Sequence, residues 1–229
     1  MRILPSGTHA LMLELDGVQE VRDWHTAVAR ARLPGVVDLV PAARTLLVVL
    51  DLERARAVAH RDVRPGPLLD DLARRLRELQ PVRGRRPDDS ASDATGGREA
   101  LEALEVPVRY DGDDLAEVAA LWGCDVAEVV RRHTAERWTV AFCGFAPGFG
   151  YLVSDERGHQ WEVPRRDVPR TRVPAGSVGL AGPYTGAYPR ASPGGWQLVG
   201  RTTLELFDAT REPPALLTPG RRVRFVDVT

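Results

Sequence analysis

Between Phe142 and Arg201, glycine and proline recur every few residues, and no stretch is long enough for a buried helix. The segment runs FCGFAPGFGYL (142–152), VPRRDVPRTRVPAGSVGLAG (163–182) and YTGAYPRASPGGWQLVGRT (184–202). Glycine admits positive φ and close approach of other groups, and proline stiffens the turns between. A linker shares that composition, but a linker lacks the interleaved Phe142, Phe145, Phe149, Tyr151, Trp161, Val173, Val178, Tyr188 and Trp196. These residues need somewhere to be buried, which predicts a loop-rich surface carried on a β scaffold. A β domain with tight turns and nothing more is the plain alternative. Short strands are expected at WTVAF, GYLV, QWEV, VGLA, WQLVG, TLELF (203–207) and RVRFVDV (222–228). That spacing indicates a closed or nearly closed β-barrel.

Upstream, residues 1–82 read as a compact α/β unit. HALMLEL (9–15) fits a strand and VQEVRDWHTAVARARL (18–33) repeats apolar residues at helical spacing. VVDLVP (36–41) and TLLVVLD (45–51) suggest a hairpin, and PLLDDLARRLREL (67–79) a second amphipathic helix. Strand, helix, two strands, helix is most of a ferredoxin-like split βαββαβ, whose last strand would come from ALEVPVRY (103–110). Residues 83–103 lose apolar periodicity and read as a flexible linker. The fold class is therefore α+β, with the barrel over 104–229.

Composition removes several functions. All 31 basic residues are arginine, so neither a Schiff-base lysine nor a P-loop lysine exists. Asparagine is absent too, which removes a Cys-His-Asn arrangement. A formal net charge of -1 gives no general pull toward nucleic acid or an anionic membrane. No apolar run approaches membrane-spanning length, and a cytoplasmic location is expected. Cys124 and Cys143 have no metal spacing, His9, His25 and His60 are scattered, and no bound metal is expected.

Asp114 with Glu117 and Asp125 with Glu128 mark the starts of two short helices, DLAEVAALW (114–122) and DVAEVVRRHT (125–134). The pair looks like a helix-turn-helix, but its acidic first helix argues against DNA. His133 ends the second helix, where a protonated imidazole is favoured; capping and functional roles are both open. AGSVG (175–179) resembles a nucleophile elbow, yet no helix follows and the last histidine is His159, upstream of Ser177. That removes a serine hydrolase of the elbow type and leaves Ser177, with the Gly176 and Gly179 amides, as an oxyanion binder. Arg165, Arg166, Arg170 and Arg172 form either a solvated face or an anion site, with Arg170 and Arg172 on one side of an extended segment.

GFAPGFGYL, PRTRVPAGSVGLAG, TGAYP and SPGGWQLVGRT resemble the signature of the 5-oxoprolinase B-subunit family, also labelled allophanate hydrolase subunit 1 or KipI-like kinase inhibitor. The resemblance is dense over 106–229 and weak over 1–82. It implies a cyclophilin-like barrel behind a small α/β domain. It also implies two partners: a homologue of the C subunit, of the allophanate hydrolase subunit 2 type, and the A subunit. Together they would open 5-oxoproline to glutamate, with ATP as cosubstrate and magnesium allowed for. Related sequences belong to urea carboxylase, and one branch inhibits a sensor histidine kinase. Carried onto this chain, the implied cleft holds His133 and Ser177 as catalytic groups. The same cleft would bring Gly144, Pro147, Arg172, Pro174 and Gly176 around the substrate or anion, and Arg170 is expected to join Arg172 in holding a carboxylate or phosphate. Tyr184 stands where many relatives have Gln.

Overall fold

The computed structural model describes residues 1–59, 64–81, 103–154 and 162–229. The chain divides into two compact units, Met1–Ala94 and Thr95–Thr229. The linker expected over 83–103 lies outside the described residues except for residue 103.

In the first unit, β1 (Arg2–Ser6), β2 (Ala10–Glu14), β3 (Val36–Pro41) and β4 (Thr45–Leu50) form an antiparallel sheet of order β1-β2-β4-β3. Helices α1 (Val18–Ala31), α2 (Leu52–Ala59) and α3 (Pro65–Glu78) complete it. Leu11, Leu13 and Leu15 alternate inward from β2 and its end. They meet Val21, Trp24 and Val28 of α1 and Leu72 and Leu76 of α3 in one core. The strand expected from 103–110 is not in this sheet. The place beside β2 is taken by β1, which a five-residue stretch with one proline did not announce.

That expected strand is β5 (Leu104–Val108), and it belongs to the second unit, running parallel to β13 (Arg222–Asp227). There a seven-stranded sheet has the order β12-β9-β10-β7-β6-β13-β5, with β6 (Trp138–Cys143), β7 (Gly150–Ser154), β9 (Ser177–Ala181), β10 (Tyr184–Ala187) and β12 (Gln197–Arg201). Its two edges meet where Arg109 and Arg201 exchange amide hydrogen bonds of 2.9 Å each, so the barrel is nearly closed. The interior holds Val106, Val108, Trp138, Val140, Leu152, Val178, Leu180 and Phe225. Helix α4 (Leu115–Leu121) packs on β12 and α5 (Val126–Ala135) on β13, adding Leu115, Val118 and Val129. Asp125 caps α5 through the Glu128 amide at 2.7 Å, as its spacing predicts.

A separate two-stranded ribbon, β8 (Arg170–Val173) with β11 (Ser192–Gly194), stands outside the sheet. TLELF forms no strand: Phe207 makes only an isolated bridge to Ala215. Of QWEV, only Glu162 and Val163 are described, with Val163 bridging Gly182. No helix among the described residues is long and apolar enough to cross a membrane.

Candidate functional site

Strands β7, β9 and β10 carry two faces with different chemistry. Side chains alternate across a strand, so Val178 and Leu180 of β9 enter the barrel interior while Ser177, Gly179 and Ala181 face outward. On β10, Thr185 and Ala187 go in, and Tyr184, Gly186 and Tyr188 beyond its end go out. A register shift in β6 between Val140, opposite Leu152, and Phe142, opposite Tyr151, turns Phe142 outward as well.

His133 belongs to the interior. It is 0% exposed, its imidazole stacked 4.4 Å from the Phe225 ring. The Thr185 hydroxyl donates to the Gly179 carbonyl at 3.3 Å and therefore accepts from His133 Nε2–H at 2.8 Å. His133 Nδ1 is then free to accept the Tyr110 hydroxyl at 2.6 Å. Burial drives the imidazole pKa down to about 3, so the ring is neutral. This corrects two sequence expectations: His133 is no protonated helix-end cation, and it shares no cleft with Ser177, because the sheet lies between them. Its physical role is to tie α5 to β10.

The outer face is an aromatic layer. Phe149, Tyr188 and Trp196 pack with Val173 of the β8–β11 ribbon, while Tyr151 and Tyr184 close the rim. The floor beneath them is glycine: a Cβ on Gly186 would lie 2.8 Å from the Gly150 carbonyl oxygen and 3.2 Å from Trp196. That contact accounts for the glycine in TGAYP. Phe145 rises from the loop between β6 and β7, 59% exposed and at φ +67°. A bulky residue in that region is strained, and such strain concentrates at sites of function. Composition alone gave no reason to single out Phe145 from the neighbouring aromatics.

Loop 144–149 and the turn before β9 meet at Tyr188. Phe145 sits edge-on to Tyr188 at 6.2 Å, and the Tyr188 carbonyl accepts the Gly176 amide at 2.7 Å while its amide donates to Ser177 at 2.9 Å. Gly176 and Ser177 are thus tied through Tyr188 to the loop that carries Gly144 and Pro147. The oxyanion cradle expected of the flanking amides does not form: Gly176 N–H is used by Tyr188, Ser177 N–H by Pro174 at 3.3 Å, and Gly179 lies within the ladder. Gly176 is there for another reason, its φ of +79° and a Thr202 carbonyl that would stand 2.2 Å from any Cβ. The Ser177 hydroxyl makes no hydrogen bond to a described residue.

The arginine row splits. Arg170 grips Asp114 with two bonds of 2.8 Å, and Arg166 adds a third of 2.5 Å. Asp114 also accepts the Leu198 amide at 2.7 Å. Burial pushes the Asp114 carboxyl up, but hydrogen bonds from Arg170 and Leu198 outweigh it and hold the pKa below the usual carboxylate value. Asp114 is therefore a buried clamp and not the helix cap expected of it, since its side chain makes no capping bond. With Arg170 engaged there, Arg172 and Arg165 are the exposed members of the row that form no ion pair with a described residue. The spacing that put Arg170 and Arg172 on one side held no information about Asp114, which is 56 residues from Arg170.

Cys143 donates its thiol to the Leu217 carbonyl at 3.1 Å, and burial lifts its pKa to about 11, so it is a packing residue. Among the described residues no group of three or more metal-type ligands occurs.

An α/β unit followed by a nearly closed barrel with this two-faced sheet defines a carboxyltransferase-type chain: the family described as carboxyltransferase domain, subdomain C and D, matches residues 1–217. The B subunit of 5-oxoprolinase from Escherichia coli O157:H7 is 38% identical over 96% of this chain and 93% of that protein. That of Bacillus subtilis (strain 168) is 35% identical over 86% of this chain and 77% of its own. The chain belongs to the family of 5-oxoprolinase B subunits. The crystal structure of TTHA0988 superposes with a TM-score of 0.67 at 34% identity over 96% of this chain, which spans 40% of that longer chain. More distantly, urea amidolyase of Lachancea kluyveri is 25% identical over 95% of this chain and 12% of that protein.

Proposed function

We propose that this chain is the B subunit of a heteromeric, ATP-dependent 5-oxoprolinase that opens the lactam of 5-oxo-L-proline to L-glutamate, acting with homologues of the A and C subunits. The observation that carries this reading is end-to-end identity to proteins of that name, over both units and not the glycine-rich segment alone. In the same reading the barrel is cyclophilin-like, and its outer aromatic face is the working surface.

ATP as cosubstrate supplies activation of the lactam oxygen. The γ-phosphoryl group passes to that oxygen with release of ADP, water adds to the ring carbon, and the C–N bond breaks as the nitrogen takes up a proton and inorganic phosphate leaves, giving the carboxylate. With no P-loop lysine in the chain, any phosphate contact here falls to arginine or to a partner protein. Arg172, exposed and without an ion pair to a described residue, is the group to hold phosphoryl oxygens or the substrate carboxylate. Ser177 donates its free hydroxyl to a developing oxyanion. Gly144, Pro147, Pro174 and Gly176 set the backbone around them. Arg170 acts by pairing with Asp114, and His133 by positioning β10.

ATP-dependent glutamate release is to be measured with the candidate A and C subunits, with and without this chain. Release should require it. Arg172→Glu should abolish turnover without altering the unfolding midpoint; near-normal turnover would remove Arg172 from the site. A second reading, carboxyl transfer, is favoured by the match to the carboxyltransferase domain family. It takes over if folded, associated partners release no glutamate.

A further inference from the structure

Two phenols on the outer face have no hydrogen-bond partner among the described residues. Tyr151 and Tyr184 stand with ring centroids 5.7 Å apart, both half-buried, and neither hydroxyl is hydrogen-bonded to a described residue. Their rings are nonetheless fixed. Tyr151 stacks on Phe142 at 4.4 Å and 16° and meets Trp196 edge-on at 5.5 Å. Tyr184 meets Phe142 edge-on at 5.6 Å. Buried phenols ordinarily find a partner, as Tyr110 does in the interior. A rigid pair of unused O–H donors at a half-open rim is therefore preorganised for something outside the chain.

Arg165 stands in the backbone segment that runs beside the same rim. Val163 exchanges backbone hydrogen bonds of 3.1 and 2.7 Å with Gly182, in the turn that leads into Tyr184, and the Arg166 amide donates to Gly195 at 2.9 Å. Arg165 is pinned between these anchors. Arg166 is drawn to Asp114, whereas Arg165 is exposed and forms no ion pair with a described residue. Burial raises the Tyr151 phenol pKa and the Arg165 guanidinium lowers it, as it also does for Tyr188. Space is available too: a Cβ on Gly144 would still be 3.9 Å from the Tyr151 ring, and one on Gly182 would meet nothing within 4 Å.

We infer that Tyr151, Tyr184 and Arg165 form a carboxylate-recognition site, in which two phenol donors and a guanidinium converge on the carboxylate of a small cyclic acid. The choice of ligand rests on the proposed function; in that setting the substrate carboxylate is held here and Arg172 is left for phosphoryl oxygens. A hydrogen bond to a charged group is worth about 1.5–3 kcal/mol, so removing one donor should weaken binding by about 10-fold or more.

The test is binding, read from the near-UV tyrosine difference spectrum of the full chain assembled with its partners. Titration with 5-oxo-L-proline should perturb the spectrum, and 2-pyrrolidinone, the same lactam without the carboxylate, should not at equal concentration. Tyr151→Phe, Tyr184→Phe and Arg165→Gln should each raise the dissociation constant about 10-fold with unchanged thermal unfolding, and Arg190→Gln should not. Unchanged affinity in all three variants would overturn the site while leaving the enzyme reading in place. If cyclopentanecarboxylate perturbs the tyrosines in a variant-sensitive way and 5-oxo-L-proline does not, the site stands and the substrate reading fails. No spectral response to any of these carboxylates would overturn the site whether or not the complex is active.

Discussion

The two faces of strands β9 and β10 lie one peptide plane apart and treat polar groups in opposite ways. Inside, Tyr110, His133, Thr185 and the Gly179 carbonyl form a chain in which each donor has an acceptor. Outside, the Ser177, Tyr151 and Tyr184 hydroxyls and two arginines have no partner among the described residues. Satisfied buried groups specify a structure, whereas groups held rigidly and left unsatisfied are available to a ligand. A buried histidine in a motif is thus weaker evidence of chemistry than an idle hydroxyl beside it.

The largest effect expected is on Asp114, the group that separates the occupied arginines from the idle ones. Asp114→Ala should cost about 3 kcal/mol in urea unfolding, the low end for a broken buried pair because both guanidinium partners are partly exposed. Loss of under about 1 kcal/mol would mean that the clamp does not set the split. Next comes acid sensitivity of the interior. His133 has a folded pKa of about 3 against an unfolded value of 6.5, so the unfolded chain binds the extra proton as pH falls. Stability present above pH 6.5 should decline by about 1.4 kcal/mol per pH unit below it, or about 2 kcal/mol at pH 5. His25 of the first unit is shifted the same way by burial, so the barrel's share is read as the part that His133→Gln removes. A pH profile untouched by that substitution would show that the interior chain is open to protons. Smallest in stability is Ser177→Ala on the outer face, within about 0.5 kcal/mol of the parent. Its turnover should nevertheless fall about 10-fold or more, as for a lost oxyanion donor. A stability loss as large as that of Asp114→Ala would make Ser177 structural and erase the contrast between faces.

Much of the architecture was readable because it depends on local rules. The 3.6-residue repeat of α1 and α3, the Asp125–Glu128 spacing and the strand–turn rhythm after Trp138 all act over a few residues. What escaped depends on distance. β5 was assigned to the wrong sheet because its partner lies at the far end of the chain, and β1 was missed because five residues with a proline give little alternation. For the site, the glycines and Ser177 were marked by composition, but the face each residue presents was not. One register shift in β6 decides that Phe142 faces out, and a bulge leaves no mark in composition. Asp114 looked like a helix cap because the cap pattern is short, while its real partners are held by tertiary packing.

The place of β13 in the sheet also has a consequence for synthesis. Its neighbours are β6 on one side and β5 on the other, and Glu105 and Arg224, which pair across the second contact, are 119 residues apart in sequence. As the chain leaves the ribosome, the first unit can settle early, since its strands join near neighbours. β5 must stay unpaired until residues 222–227 emerge, which exposes an apolar strand for most of the barrel's synthesis. A ribosome stalled before β13 would leave β5 tied to the rest of the sheet through the Arg109–Arg201 bridge alone.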